Sequence, residues 1–295
     1  MRTALGIDLG GTQIKAVVAA ENGEILRREL RPTHDGIVDG AFAQTIRLLA
    51  EELGGTIPIA LSAPGLASAD RRKIAHLPGR LRGLEGLDWT NFFQRESLVP
   101  VSNDAQSALL GEAWLGAARG VSNAILITLG TGVGGAILSE GRILRGHLGR
   151  TGHFGHLCLD PDGPRSIVGM PGALECWIGN YNVSERSAGK FLTTHDLIAA
   201  SEGGDDFARE IWLKSVRALA CAIGSLINVI DPEVVIVGGG ISQAGEALFA
   251  PLREELAKVE WRPAGNAVSL RSAQLGEWAG AIGAARTALD TLSIA

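Results

Sequence analysis

Two stretches decide the fold. They are Ala4-Leu5-Gly6-Ile7-Asp8-Leu9-Gly10-Gly11-Thr12-Gln13-Ile14-Lys15-Ala16-Val17-Val18 and Ala124-Ile125-Leu126-Ile127-Thr128-Leu129-Gly130-Thr131-Gly132-Val133-Gly134-Gly135-Ala136-Ile137-Leu138. Each runs as an apolar strand, a polar residue, Leu-Gly, a turn of small residues and a second apolar strand, which reads as a hairpin. Gly10 and Gly130 mark the same point in the two copies. The pattern predicts a duplication, with two glycine turns holding one phosphate chain between two domains. Glycine lets the backbone approach a phosphate, and successive N–H groups form an anion-binding concavity.

The bulk numbers fit that reading. A chain of 295 residues is long enough for two cores. Apolar residues make up 46% and charged residues 20%, as in soluble globular proteins. The net charge of −5, without a basic run, argues against nucleic acid or an acidic membrane as partner. Cys158, Cys176 and Cys221 are too few for a disulfide scaffold, so a reducing cytoplasm is expected. Asp8 and Lys15 interrupt the only N-terminal apolar stretch, which predicts no signal peptide. No apolar run is expected to reach membrane-spanning length. The 40 glycines cluster in turns after apolar runs, which suits an α/β protein with backbone-lined ligand loops.

Along the chain, residues 4–8 and 13–19 read as strands, and Glu24 to Arg31 as a third after the Glu21-Asn22-Gly23 turn. Gly40 to Leu53 has helical periodicity, and Ile57 to Ser62 is a short buried strand closed by Ala63-Pro64-Gly65. Residues 66–96 read as surface loops. Val99 to Ser102 is a strand, followed by a helix from Ala105 to about Ala117 with a stripe of Ala105, Ala108, Leu109 and Ala113. Residues 141–172 form a loop-rich stretch. Helices then dominate to about Val229, before the Asp231-Pro232 stop. Val234 to Val237 is a strand, Gly245 to Val259 a helix, and a last helix runs from about Trp278 to Leu292.

Five constellations bear on chemistry. In the first, Asp8 to Thr12 with Lys15, the glycines and Thr12 suit phosphate and Asp8 suits Mg²⁺ held through water. Alone it would read as a plain glycine hairpin; the second turn, Gly130-Thr131-Gly132, shifts the balance. Neither is a P-loop or a dinucleotide fingerprint, because Gly130 to Gly135 leads into a strand. In the third, Gly238-Gly239-Gly240 after a strand is either a strand-to-helix turn or a flat wall for a purine or ribose. The fourth, Asn103-Asp104, suits both a helix cap and a base at a strand's C-terminal end. The fifth, Gly152-His153-Phe154-Gly155-His156 with Glu175, suits either zinc or a polyhydroxylated ligand.

As an ordered set these residues resemble the ROK family of sugar kinases and repressors, in the actin-like (ribonuclease H-like) ATPase superfamily. The resemblance covers nearly the whole chain. It implies a two-domain α/β fold with a duplicated ββ(β)αβ core and an interdomain cleft. The expected small domain is 1–115 with the C-terminal helix 278–295, and the large one is 116–277. It implies ATP-dependent phosphorylation of a hexose, usually at C6, as in glucokinases. By the same analogy Asp104 is the base, and Gly65, Asn103, His153, His156 and Glu175 meet the sugar. Asp8, Gly10, Gly11, Thr12, Lys15, Gly130, Thr131 and Gly132 hold Mg²⁺ and phosphates, and Gly239 and Gly240 face the adenosine. A cytoplasmic homodimer is implied as well. A repressor of the family would carry a helix-turn-helix domain, whereas seven residues precede Asp8. A catalytically silent sugar binder and a polyphosphate-dependent kinase compete with the ATP-dependent enzyme.

The chain departs from the family twice. The family's zinc cysteines fall at Ser166, Val168 and Ala173, so no structural zinc is expected, although Gly169, Gly172 and Glu175 keep the frame. A replacement site from His156, Cys158 and Cys176 matches no standard spacing. The loop is then expected to be held by packing and by Pro164 and Pro171. At 153 the family usually has Glu; His153 can donate or accept, which unsettles preference at the C1 and C2 end of the sugar.

Overall fold

The structure is a computed structural model that describes residues 1–35 and 40–291. The chain divides into two compact units. The first takes Met1–Gly120, Ile143–Thr151 and Gln274–Ala295, and the second Val121–Arg142 and Gly152–Ala273. The segment 143–151 and the start of the last segment thus pack with the first unit, a grouping that sequence order alone does not display.

In the first unit, β1 (Thr3–Leu9), β2 (Gln13–Ala20), β3 (Ile25–Pro32), β4 (Ile59–Ala63) and β7 (Val101–Asn103) form one sheet in the order β3-β2-β1-β4-β7. β5 (Leu66–Ala67) and β6 (Ile74–His76) form a small separate pair. β1 pairs antiparallel with β2 and parallel with β4. Alternation along β1 sends Leu5, Ile7 and Leu9 to one face, where they meet α1 (Ala41–Leu53) through Phe42, Ile46 and Leu49. Leu81, Leu84 and Trp89 join that core and are fully buried. Residues 66–96 are therefore not only surface loops. Their apolar side chains are spaced irregularly, and α2 (Trp89–Phe92) is a single turn, so no period announced them.

The other face of β1 carries Ala4, Gly6 and Asp8, and α9 (Ala279–Thr291) lies against it. A Cβ at Gly6 would stand 2.0 Å from the Ala281 carbonyl oxygen, so the missing side chain is what lets the helix sit on the strand. α3 (Asp104–Leu115) packs on α9 in the same way, with a Cβ at Gly283 placed 1.8 Å from the Ser107 carbonyl oxygen. This close packing turns the small and polar side of α3 inward. Gln106, Ser107, Gly111 and Glu112 are buried, while the expected Ala108 and Ala113 are only half-buried. Glu112 accepts bonds from the N–H groups of Ala117, Gln274 and Leu275, tying α3 to the returning segment. The expected end of the last helix, Leu292, lies outside the described residues.

The second unit repeats the plan. β8 (Ala124–Leu129), β9 (Val133–Ser139), β10 (Arg142–Ile143, at the border between units), β11 (Val234–Gly238) and β12 (Ser269–Ser272) run in the order β10-β9-β8-β11-β12. Third, second, first, fourth, fifth is the order of both sheets, and the duplication read from the two hairpins is present as topology. α4 (Leu174–Ile178), α5 (Val183–Arg186), α6 (Thr194–Glu202), α7 (Asp206–Ile230) and α8 (Glu246–Val259) complete the unit. Against expectation, α7 is by length and composition apolar enough to cross a membrane. Inside the fold that apolarity has a use, for Trp212, Val216, Leu219 and Ile223 are buried in the core with β8 and β11.

Candidate active site

In the first unit the C-terminal ends of β1, β4 and β7 carry the polar groups. Asp8 ends its face of β1 and accepts a 2.6 Å hydrogen bond from Ser62 Oγ, its parallel neighbour on β4. Burial pushes the Asp8 carboxyl up to about pKa 6; the Ser62 bond and Lys15 pull it down, and the charge of Asp104 pushes it further up. Lys15 is the register partner of Asp8 on β2 and also lies 3.5 Å from Glu277. The first turn of α9 fits over the carboxyl only because Gly280 has no side chain, since a Cβ there would stand 2.7 Å from Asp8 Cγ.

The turn after β1 is pinned by its carbonyls. Thr33 Oγ1 donates to Gly10 O at 2.7 Å, and Thr33 N–H donates to Thr12 O at 3.0 Å. Among the described residues no acceptor takes the N–H of Gly11 or Thr12, which leaves two adjacent donors of the kind that hold an anion. The Arg80 guanidinium lies over Gly11, close enough that a Cβ on Gly11 would be 2.6 Å from it.

Asn103 caps α3, accepting from Ala105 N–H at 3.0 Å and Gln106 N–H at 3.3 Å. Its amide donates to Gly65 O at 3.1 Å, which joins the Pro64-Gly65 turn to the β7–α3 junction. Gly65 has φ +97°, and a Cβ there would stand 2.6 Å from the His76 carbonyl oxygen, so both conformation and space demand glycine. Asp104 is the exposed first residue of α3, with Oδ1 2.8 Å from Ala105 N–H. Both sequence readings of Asn103-Asp104 are compatible here, one residue capping and the next presenting a carboxylate to solvent. The structure thus brings Asp8, Lys15, Gly65, Asn103 and Asp104 together.

In the second unit, Glu175 in the first turn of α4 is nearly fully buried. Its Oε1 lies 3.5 Å from His156 Nδ1, too far for a good hydrogen bond, and neither buried atom has another partner. Its Oε2 lies against Gly132 and Gly155, where added Cβ atoms would come within 3.0 and 3.1 Å. Glu175 therefore links the second glycine turn to the histidine loop. The His153 and His156 rings stack with centroids 6.0 Å apart.

The loop that follows is held by its backbone. Ser166 N–H donates to Met170 O, Gly172 N–H to Pro164 O and Leu159 N–H to Gly172 O. Ser166 and Ala173 are buried, Val168 is exposed, and Cys176 lies 3.2 Å from Tyr181 Oη. Among the described residues no group of three or more His, Cys, Asp or Glu side chains is arranged to hold a metal.

The second glycine turn closes through Gly130 N–H to Gly132 O, and its carbonyls accept from Asn180 and Tyr181. It opens on a cavity of about 560 Å³ lined by Gly130, Thr131, Asn180, Thr194, Gln243 and Gly240 among others, a volume in the range of small-molecule sites. Gly240 faces this space. Gly239 does not line it; a Cβ there would stand 2.3 Å from the Leu129 carbonyl oxygen, so its smallness serves the packing of β8. Asn180, Thr194 and Gln243 escaped sequence reasoning, since they lie on three separate segments with no spacing in common. Ser62, Gly280 and Arg80 were missed as well, though Ser62 ends the buried strand that the pattern did identify.

Comparison with known proteins gives a consistent answer. The profile of the ROK family matches residues 4–291. The glucokinase of Thermotoga maritima is 31% identical, over 95% of each chain. The N-acetylmannosamine kinase of Escherichia fergusonii is 30% identical, over 96% of this chain and 97% of its own. Among solved structures, the ROK hexokinase of Thermus thermophilus superposes with a TM-score of 0.87 at 30% identity, covering 99% and 100% of the two chains. A ROK family glucokinase from Streptomyces griseus, in complex with glucose and AMPPNP, gives 0.77 at 27% identity, covering 98% and 99%.

Proposed function

This chain belongs to the ROK family and is an ATP-dependent sugar kinase, and from that premise we propose that it phosphorylates the C6 hydroxyl of glucose or a related hexose with Asp104 as general base. The observation that carries this reading is the junction of β7 and α3. There a carboxylate stands exposed beside Asn103, tied to Gly65, and within electrostatic reach of Asp8.

In the proposed reaction Asn103 and the Gly65 turn orient the sugar. Asp104 accepts the hydroxyl proton as the oxygen–phosphorus bond forms, the bond from the γ-phosphorus to its bridging oxygen breaks, and ADP leaves. His156, with Nδ1 turned to Glu175, presents its other ring nitrogen to a sugar hydroxyl, and Glu175 accepts from a second. Gly10, Gly11, Thr12, Lys15, Gly130, Thr131 and Gly132 serve the phosphates, as the family resemblance implies. A carboxyl that burial makes costly to ionise suits a hard cation, so Asp8 would hold Mg²⁺ through water, and the ion would neutralise phosphate charge. The cavity beside Gly130 and Gly240 favours a nucleoside triphosphate over polyphosphate as donor. We place the enzyme in the cytoplasm as a homodimer, as the family resemblance implies.

His153 favours a second reading of the acceptor. It stands where the family usually has Glu, and the relatives include kinases of N-acetylmannosamine, whose C2 carries an acetamido group. A hexose substituted at C2 is thus the alternative to glucose. A panel of both sugar types with ATP and polyphosphate as donors tests the proposal. ATP is expected to give one ADP per sugar phosphate. Turnover with polyphosphate alone would overturn the donor, and no turnover of any hexose would overturn the reading.

A further inference from the structure

A second, smaller cavity lies in the first unit, with a volume of about 110 Å³. Arg71 and Arg145 line it, together with Ser102, Gln106 and His147. Ser102 is 6% and Gln106 4% exposed, and neither side chain has a hydrogen-bond partner among the described residues. Their polar atoms reach the cavity rather than being sealed among apolar neighbours, so they can bond what enters it.

The charge around the cavity fixes the ligand's sign. Both arginines are half-buried, and neither guanidinium is bonded to a carboxylate among the described residues. Burial depresses both pKa values, and Arg71 depresses that of Arg145 further, so two desolvated cations face each other. Asp290 acts on Arg71 from a distance, its own carboxylate being bonded to Arg286 at 2.9 Å. Arg71 is also held at φ +59°, a left-handed conformation costly for arginine. Bonds from Arg71 N–H to Ser68 O and from Val101 N–H to Arg71 O lock it there.

We propose that this cavity binds a phosphate oxyanion, gripped by the Arg71 and Arg145 guanidiniums and by the Ser102 and Gln106 side chains. Guanidinium forks match the oxygens of a phosphate. The volume suits one phosphate group and is well below that of a nucleotide site. The phosphate comes either as the free ion or as the ester group of a sugar phosphate. Ser102 and Gln106 flank Asn103 and Asp104 on the β7–α3 junction, so occupancy is placed to alter the sugar step.

The test titrates the whole protein, saturated with a non-hydrolysable ATP analogue so that the glycine turns are filled. Inorganic phosphate and glucose 6-phosphate are the two titrants, followed by calorimetry and by the melting midpoint. Near ten times its Kd, the bound anion should raise the midpoint by about 3 °C. Arg71→Gln and Arg145→Gln should each weaken binding at least roughly tenfold. Without anion, Arg145→Gln should melt no lower than the parent, because it removes a buried repulsion; this also guards against a misfolded variant. Arginine-dependent binding of both titrants assigns the pocket to any phosphate group, and of the ester alone to the product. No heat and no midpoint shift with either, or binding that survives both substitutions, overturns the proposal.

Discussion

The two sheets share one strand order, yet their hairpin turns differ in charge. At the end of β1 stands Asp8, a carboxylate bonded to Ser62, facing Lys15 and covered by α9. At the matching place on β8 stands Thr128, whose hydroxyl lies against Gly134, and the turn beyond it opens on a cavity of about 560 Å³ that Glu202 also lines. The duplicated backbone offers a glycine turn twice, closed by Gly10 N–H to Gln13 O in the first copy and by Gly130 N–H to Gly132 O in the second. The charged register pair Asp8 and Lys15 stands where the second copy has Thr128 and Gly134.

The largest effect should come from erasing that difference at Asp8. Asp8→Asn is expected to lower kcat by on the order of 10²-fold, measured with saturating ATP and sugar. The same variant should be more stable where the parent's carboxylate is ionised. The folded pKa of about 6 lies above the unfolded 3.8, so the native state binds this proton more tightly. Ionisation therefore costs stability, a cost absent below pH 3.8, growing as pH rises toward 6 and complete above it. Denaturant titration without Mg²⁺ should show Asp8→Asn more stable by about 2 kcal/mol at pH 8 and no more stable near pH 4. A constant difference across that range would remove Asp8 as its source.

Gly280→Ala sharpens the comparison from the helix side. The new methyl must displace the Asp8 carboxyl from Ser62, which should cost about 1–2 kcal/mol of stability. Across the cavity from the second hairpin turn, Gly240→Val should fill part of the space, raising KM for ATP by roughly tenfold with kcat nearly kept. A fall in kcat alone would instead place Gly240 in the chemistry.

Much of this was legible in the sequence because it rests on local rules. The hairpins announce themselves by strand alternation broken at Leu-Gly, and Asn103 by its place before a helix. The rest depends on contacts between distant segments. Gly280 reads as one small residue in an alanine-rich helix until α9 is laid on Ala4, Gly6 and Asp8. Leu81, Leu84 and Trp89 look like loop residues until the face of the sheet they cover is known. Glu112 fits no helical stripe, since its partners lie some 160 residues away at Gln274 and Leu275. Gly239 was legible as a glycine, but its close approach to the Leu129 carbonyl oxygen was not.

The central claim concerns Asp104, and the direct measurement is hexose phosphorylation by Asp104→Asn beside the parent, with ATP binding followed in parallel. The account predicts a fall in kcat of about 10²–10⁴-fold with nucleotide affinity unchanged. Phosphorylation of every accepted sugar at the parent's rate would contradict it.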